Sequence, residues 1–172
     1  MRNDNGRRAS PLGDIRDSIA GDGAHLSLIH LHRQTLLSGP IDGCLALAQQ
    51  AQAHSWPEIA SGDSYAIRLR RDRIIVLNGP ILADGWHDDF SVAVSDMTGG
   101  YVVFELSGPR VLEVLKTGTE LDINLASGSA MRRFHRHEVF LYRWQEDGRF
   151  RLHIQRGYLD SMWHLLAGLV EG

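Results

Sequence analysis

Tyr101-Val102-Val103-Phe104-Glu105-Leu106-Ser107-Gly108-Pro109 ends in a tetrapeptide that the chain has already used once, at Leu37-Ser38-Gly39-Pro40. Each copy follows strand-like residues, and each precedes apolar residues at helical spacing: Ile41, Leu45 and Ala48 after the first, Val111, Leu112, Val114 and Leu115 after the second. Proline fits the start of a helix, because the N–H it lacks would have had no partner within the helix. The same strand, turn and helix recurring in one chain implies an internal duplication.

Working outward, both copies continue alike. Tyr65, Ile67 and Leu69 alternate with Ala66, Arg68 and Arg70; Arg71-Asp72 turns the chain, and Ile74 to Leu77 returns as the second strand of a hairpin. In the second copy Arg133 to Trp144 reads as one long strand, Glu146-Asp147-Gly148 as a turn, and Phe150, Leu152 and Ile154 as the alternating apolar residues of the return strand. His25 to Leu37 reads as strand, the helix after Pro40 runs to about Ala53, and Val92–Asp96 with Tyr101–Leu106 form a hairpin about Met97-Thr98-Gly99-Gly100. Leu159, Met162, Trp163, Leu166, Leu169 and Val170 mark a closing helix whose apolar stripe belongs to the core. The class is α+β, antiparallel sheet on one side and helices on the other. Residues 1–24 lack periodicity and read as an extended arm; 25–172 form a single domain of two pseudo-repeats, 25–90 and 91–172.

Composition excludes several functions. At 172 residues, 43% hydrophobic and a net charge of −3, the chain is an ordinary globular protein without general attraction to nucleic acid or anionic membranes. Cys44 is the only cysteine, which rules out internal disulfides and multi-cysteine metal sites and fits a cytoplasmic setting. The polar stretch Met1 to Asp22 does not read as a secretory signal, and no apolar run is long enough to cross a bilayer. The single lysine, Lys116, lacks the glycine spacing of a phosphate-binding loop.

Few motifs carry chemistry. Gly21-Asp22-Gly23 lacks the third glycine and the preceding strand of a dinucleotide fingerprint. His135 and His137, like His30 and His32, are two apart on expected strands and would share a face, but no third metal ligand is marked. Asp88-Asp89 beside His87 would serve acid–base work only if desolvated; in a polar loop they read as solvated.

Val94-Ser95-Asp96, Leu106-Ser107-Gly108-Pro109, Gly118-Thr119-Glu120-Leu121-Asp122-Ile123, Val139-Phe140-Leu141-Tyr142-Arg143-Trp144, Arg156-Gly157-Tyr158 and Trp163-His164-Leu165-Leu166 follow one another in an order that resembles the gamma subunit of heterotetrameric sarcosine oxidase and related N-methyl amino acid dehydrogenases. Gly157 departs from the serine that family usually shows. The resemblance implies the aminomethyltransferase-like folate-binding fold in a non-catalytic subunit needed for assembly. It further implies partner alpha, beta and delta subunits that carry FAD, FMN, NAD and tetrahydrofolate, with no cofactor and no catalytic or metal residues in this chain. The folate enzymes' lysine-glycine-cysteine-tyrosine step is missing around Cys44. Arg68, Arg70, Arg71 and Arg73, with Arg156, are the candidate partner interface, since arginine pairs bidentately with carboxylates and stacks on rings. A stand-alone folate-binding one-carbon enzyme and a regulatory or nucleic-acid-binding module using the arginine turns are the alternatives.

Overall fold

The computed structural model describes residues 17–172. The first half of the chain forms β1 (Ser18–Ala20), β2 (His25–Ile29), β3 (Gln34–Ser38), α1 (Ile41–Ala48), β4 (Ala53–His54), β5 (Ile59–Ala60), β6 (Tyr65–Arg70), β7 (Arg73–Leu77) and β8 (Gly85–His87). The second half forms β9 (Val92–Asp96), β10 (Tyr101–Ser107), α2 (Val111–Lys116), β11 (Met131–Phe134), β12 (His137–Trp144), β13 (Arg149–Gln155) and α3 (Leu159–Glu171).

These strands make two sheets. One has the order β1-β2-β10-β13-β12-β11, with β5 added parallel to β12; the other runs β4-β6-β7-β3-β9-β8. Side-chain alternation shows how they stack. Ile74 and Val76 of β7 pack with Cys44 and Ala48 of α1, whereas Ile75 and Leu77 pack with Phe140, Tyr142 and Trp144 of β12. Val139 and Leu141 of β12 and Phe150, Leu152 and Ile154 of β13 face the other way, onto Met162, Trp163 and Leu166 of α3. The sheets therefore lie face to face, with α1 outside one and α2 and α3 outside the other. This corrects the expected arrangement of a sheet with helices on one side: there are two sheets, and helices pack on the outer face of each.

Several expected elements are cut differently. His25–Leu37 is not one strand; the chain leaves the first sheet after Ile29 and enters the second at Gln34. Nor do β9 and β10 form a hairpin, since β9 pairs with β3 in one sheet and β10 with β2 in the other. The two crossings lie side by side: Gln34 N donates to Thr98 Oγ1 at 3.0 Å, and Met97 N donates to Gln34 O at 2.8 Å. A tight glycine turn permits a hairpin but equally a corner between stacked sheets, and burial of both strands' apolar residues selects the corner. The helix after Pro40 ends at Ala48, because Gln49 turns left-handed at φ 54 and Ala53–His54 pairs with β6. Of the expected arm, 1–16 lies outside the described residues, whereas Ser18–Ala20 is an edge strand on β2 with Ile19 against the core.

The repeated tetrapeptide has one structural meaning in both places. A Cβ on Gly39 would lie 2.5 Å from Ser91 O, just before β9, and a Cβ on Gly108 would lie 2.6 Å from Gly23 O, just before β2. Each glycine lets its turn sit directly against the backbone that leads into the neighbouring strand.

Candidate functional site

Strand alternation places polar residues in the space between the sheets. On β13, Arg151 and His153 alternate with the core residues Phe150, Leu152 and Ile154; Glu105 of β10, Tyr142 and Trp144 of β12, Tyr65 of β6 and Gln34 of β3 point into the same layer. Their hydrogen bonds form one directed chain. Gln34 Nε2 donates to the Tyr101 carbonyl at 3.1 Å, which leaves Gln34 Oε1 to accept from His153 Nδ1 at 2.9 Å. His153 Nε2 must then accept, and Tyr142 Oη donates to it at 2.8 Å. Tyr65 Oη lies 2.9 Å from Tyr142 Oη, donates to it, and accepts from Arg151 Nη1 at 2.8 Å. Arg151 Nε completes the series on Glu105 Oε2 at 3.0 Å, and Arg149 reaches the other Glu105 oxygen at 3.7 Å. Such an aligned series strengthens each bond in a water-poor interior, and it ties Tyr65 and Gln34 of one sheet to four residues of the other.

The electrostatics agree with this assignment. Burial, aided by the charge on Arg151, pushes the His153 imidazole down to about 3, so it is neutral in the native protein. Burial likewise raises the Tyr65 phenol, against the pull of Arg151, and raises the fully enclosed Tyr142 phenol further, so both keep their protons. Cys44, on the buried face of α1, is held inert: burial and then the charge of Asp72 push its thiol up to about 11.

The series opens to solvent at its arginine end. A cleft of about 410 Å³ is lined there by Tyr65, Trp144, Arg151, Asn78, Asp63 and the 29–32 crossing, among others. The Arg151 guanidinium carbon stands 3.7 Å from the centroid of the Trp144 ring, and the Tyr65 and Trp144 rings are 4.5 Å apart.

The five candidate interface arginines fall in two places. Arg68, Arg70, Arg71 and Arg73 surround the β6–β7 turn, where Arg70 Nε contacts Met131 Sδ at 3.3 Å and Arg73 Nε donates to Ser38 Oγ at 3.0 Å. The 129–132 segment abuts this turn, with Ala130 N donating to Arg68 O at 2.8 Å. Arg156 is elsewhere: exposed after β13, it donates from Nε to Gly99 O at 2.7 Å, beside the crossing at the opposite end of β3. Among the exposed side chains are also large apolar ones, Ile81 at 82% and Trp86 at 61% exposure, in the segment joining β7 to β9.

The heterotetrameric sarcosine oxidase of Corynebacterium sp. U-96, in complex with pyrrole 2-carboxylate, contains a chain that superposes on this one with a TM-score of 0.68 and 16% identity, over 90% of this chain and 87% of that one. The aminomethyltransferase T of the glycine cleavage system of Bartonella henselae superposes with a TM-score of 0.56 and 15% identity, over 87% of this chain and 46% of that one. This chain has the fold those two proteins share. It spans less than half the length of the aminomethyltransferase. No family model matches the sequence, and no curated protein sequence matches it.

On this aminomethyltransferase-type fold the histidine pairs do not share strand faces. His135 and Arg136, at φ 43 and 74, form the two-residue turn between β11 and β12, so Arg133–Trp144 is two strands rather than one. His135 bonds Thr117 Oγ1 at 3.2 Å while His137 packs on Tyr158 at 4.4 Å between centroids. His30 and His32 lie in the crossing, past the end of β2. Among the described residues no group of three metal-ligating side chains occurs. Asp88 and Asp89 are exposed, and Asp88 accepts from Trp86 Nε1 at 2.8 Å. Sequence reasoning missed Gln34, Tyr65, Tyr142, Arg151 and His153 as a unit. The available signal was polar residues alternating with core residues on strands, and it was open to a solvent-facing reading.

Proposed function

We propose that this chain is a gamma-type subunit of a heteromeric, flavin-dependent sarcosine oxidase or related N-methyl amino acid oxidoreductase, acting in assembly and stability of the catalytic subunits rather than in catalysis. The observation that carries this reading is the two-sided match, 90% of this chain on 87% of a single chain of a heterotetrameric enzyme. The ordered motifs from Val94 to Leu166 point the same way. In this reading FAD, FMN, NAD and tetrahydrofolate belong to the partner alpha, beta and delta subunits, and the complex works in the cytoplasm. Arg68, Arg70, Arg71 and Arg73 meet carboxylates of one partner, and exposed Trp86 and Ile81 supply the apolar contact that interfaces favour.

Co-expression with flavin-bearing amine-oxidase subunits from the same cell tests this. The chain is expected to co-purify in fixed ratio, and omitting it to lower the yield and flavin content of the others; a chain that elutes alone as a monomer refutes the proposal. A stand-alone one-carbon enzyme is the second reading, favoured by the shared fold with aminomethyltransferase T. Equilibrium binding of tetrahydrofolate to the pure chain would support it.

A further inference from the structure

The cleft at the arginine end of the inter-sheet series combines a fixed cation, free donors and an apolar wall. Three sides of the Arg151 guanidinium are held: Nε by Glu105, Nη1 by Tyr65, and its face by Trp144. Nη2 makes no hydrogen bond to the described residues, yet it is not among the sealed, unpartnered atoms, so solvent reaches it. Arg151 is only 9% exposed, which leaves the cleft as its outlet. Asn78 supplies a second donor. Its Oδ1 accepts from the backbone N–H of His32 at 2.9 Å and of Arg33 at 3.2 Å, while its Nδ2 makes no hydrogen bond to the described residues and remains a donor at the cleft Asn78 lines. Half-buried Ile29 and Leu31 give the cleft an apolar wall over the buried Tyr65 and Trp144, while Asp63 brings an acid to its exposed rim.

We propose that this cleft is a binding site for a small carboxylate with an apolar or aromatic body, its oxygens held by Arg151 Nη2 and Asn78 Nδ2 and its body lying along the half-buried Ile29 and Leu31. A guanidinium already oriented by three contacts loses little freedom on binding, and planar carboxylates match its geometry. A volume of about 410 Å³ admits a ligand of one ring with a carboxyl group. Asp63 repels such an anion from the rim and sets a limit on its charge.

Titration of the full ¹⁵N-labelled chain with benzoate, with benzamide as the neutral counterpart, tests the site. Benzoate is expected to shift the Arg151 Nε–H and Trp144 indole resonances in a saturable way, and benzamide to leave them in place. Asn78→Asp keeps the acceptor for the 32–33 backbone and should weaken benzoate about tenfold. Asp63→Asn, at an exposed position, should tighten it about twofold to threefold. Arg151→Gln should abolish binding, provided its thermal unfolding remains cooperative. Absence of saturable shifts, equal response to benzamide, or unchanged affinity in both Asn78→Asp and Asp63→Asn overturns the proposal.

Discussion

His153 stands at the centre of the inter-sheet series with its imidazole neutral, and its protonation would do more than add a charge. A proton on Nε2 turns that atom into a donor, so Tyr142 could no longer donate to it and the order of donors through Tyr65 would have to reverse against Arg151. The native value near 3 lies below that of an exposed histidine, so between the two the unfolded chain takes up a proton that the folded chain refuses. Stability is therefore complete above the ordinary histidine range and declines as pH falls. At pH about 5 the loss should amount to about 2 kcal/mol relative to pH about 7.5. Urea titrations across that interval check it, and His153→Gln, which cannot titrate, should remove that share of the slope. Such residues were hard to read from sequence for a physical reason. Arg149, Arg151 and His153 alternate with Phe150, Leu152 and Ile154, and a strand with one polar side is ordinarily read as half-exposed. Only a second sheet over that side turns the same alternation into a buried network.

At the scale of elements, the repeated tetrapeptide was the most legible feature, and the strands and helices that flank it fall close to where their periodicity places them. What periodicity could not reveal was partnership: β2 and β3, or β9 and β10, are consecutive yet belong to opposite sheets. The β11–β12 turn escaped notice because His135 and Arg136 occupy left-handed positions usually given to asparagine or glycine. The glycines of the repeat give a direct test. Gly39→Ala and Gly108→Ala each force a Cβ into a backbone carbonyl oxygen, and each should cost about 1–3 kcal/mol in chemical denaturation. Gly99→Ala, with nothing within 4 Å of its added Cβ, should change stability little. If all three behave alike, close approach is not what the repeated glycine serves.

At the scale of the whole molecule, the α+β class and the ordered likeness to sarcosine oxidase were readable in the sequence, and the shared fold agrees with both. The cleft was not readable, because its walls come from β6, β12, β13 and the 29–32 crossing, which meet only when the two sheets close on each other. The reciprocal placement of β2 and β9 has a consequence for dissection. Severed between residues 90 and 91, each piece would lack a strand the other owns: residues 1–90 lose β9 beside β3, and residues 91–172 lose β2 beside β10. Neither fragment should acquire native near-ultraviolet circular dichroism alone, whereas the two mixed at equal concentration should recover it together, as halves of a clasp that holds only when both are present.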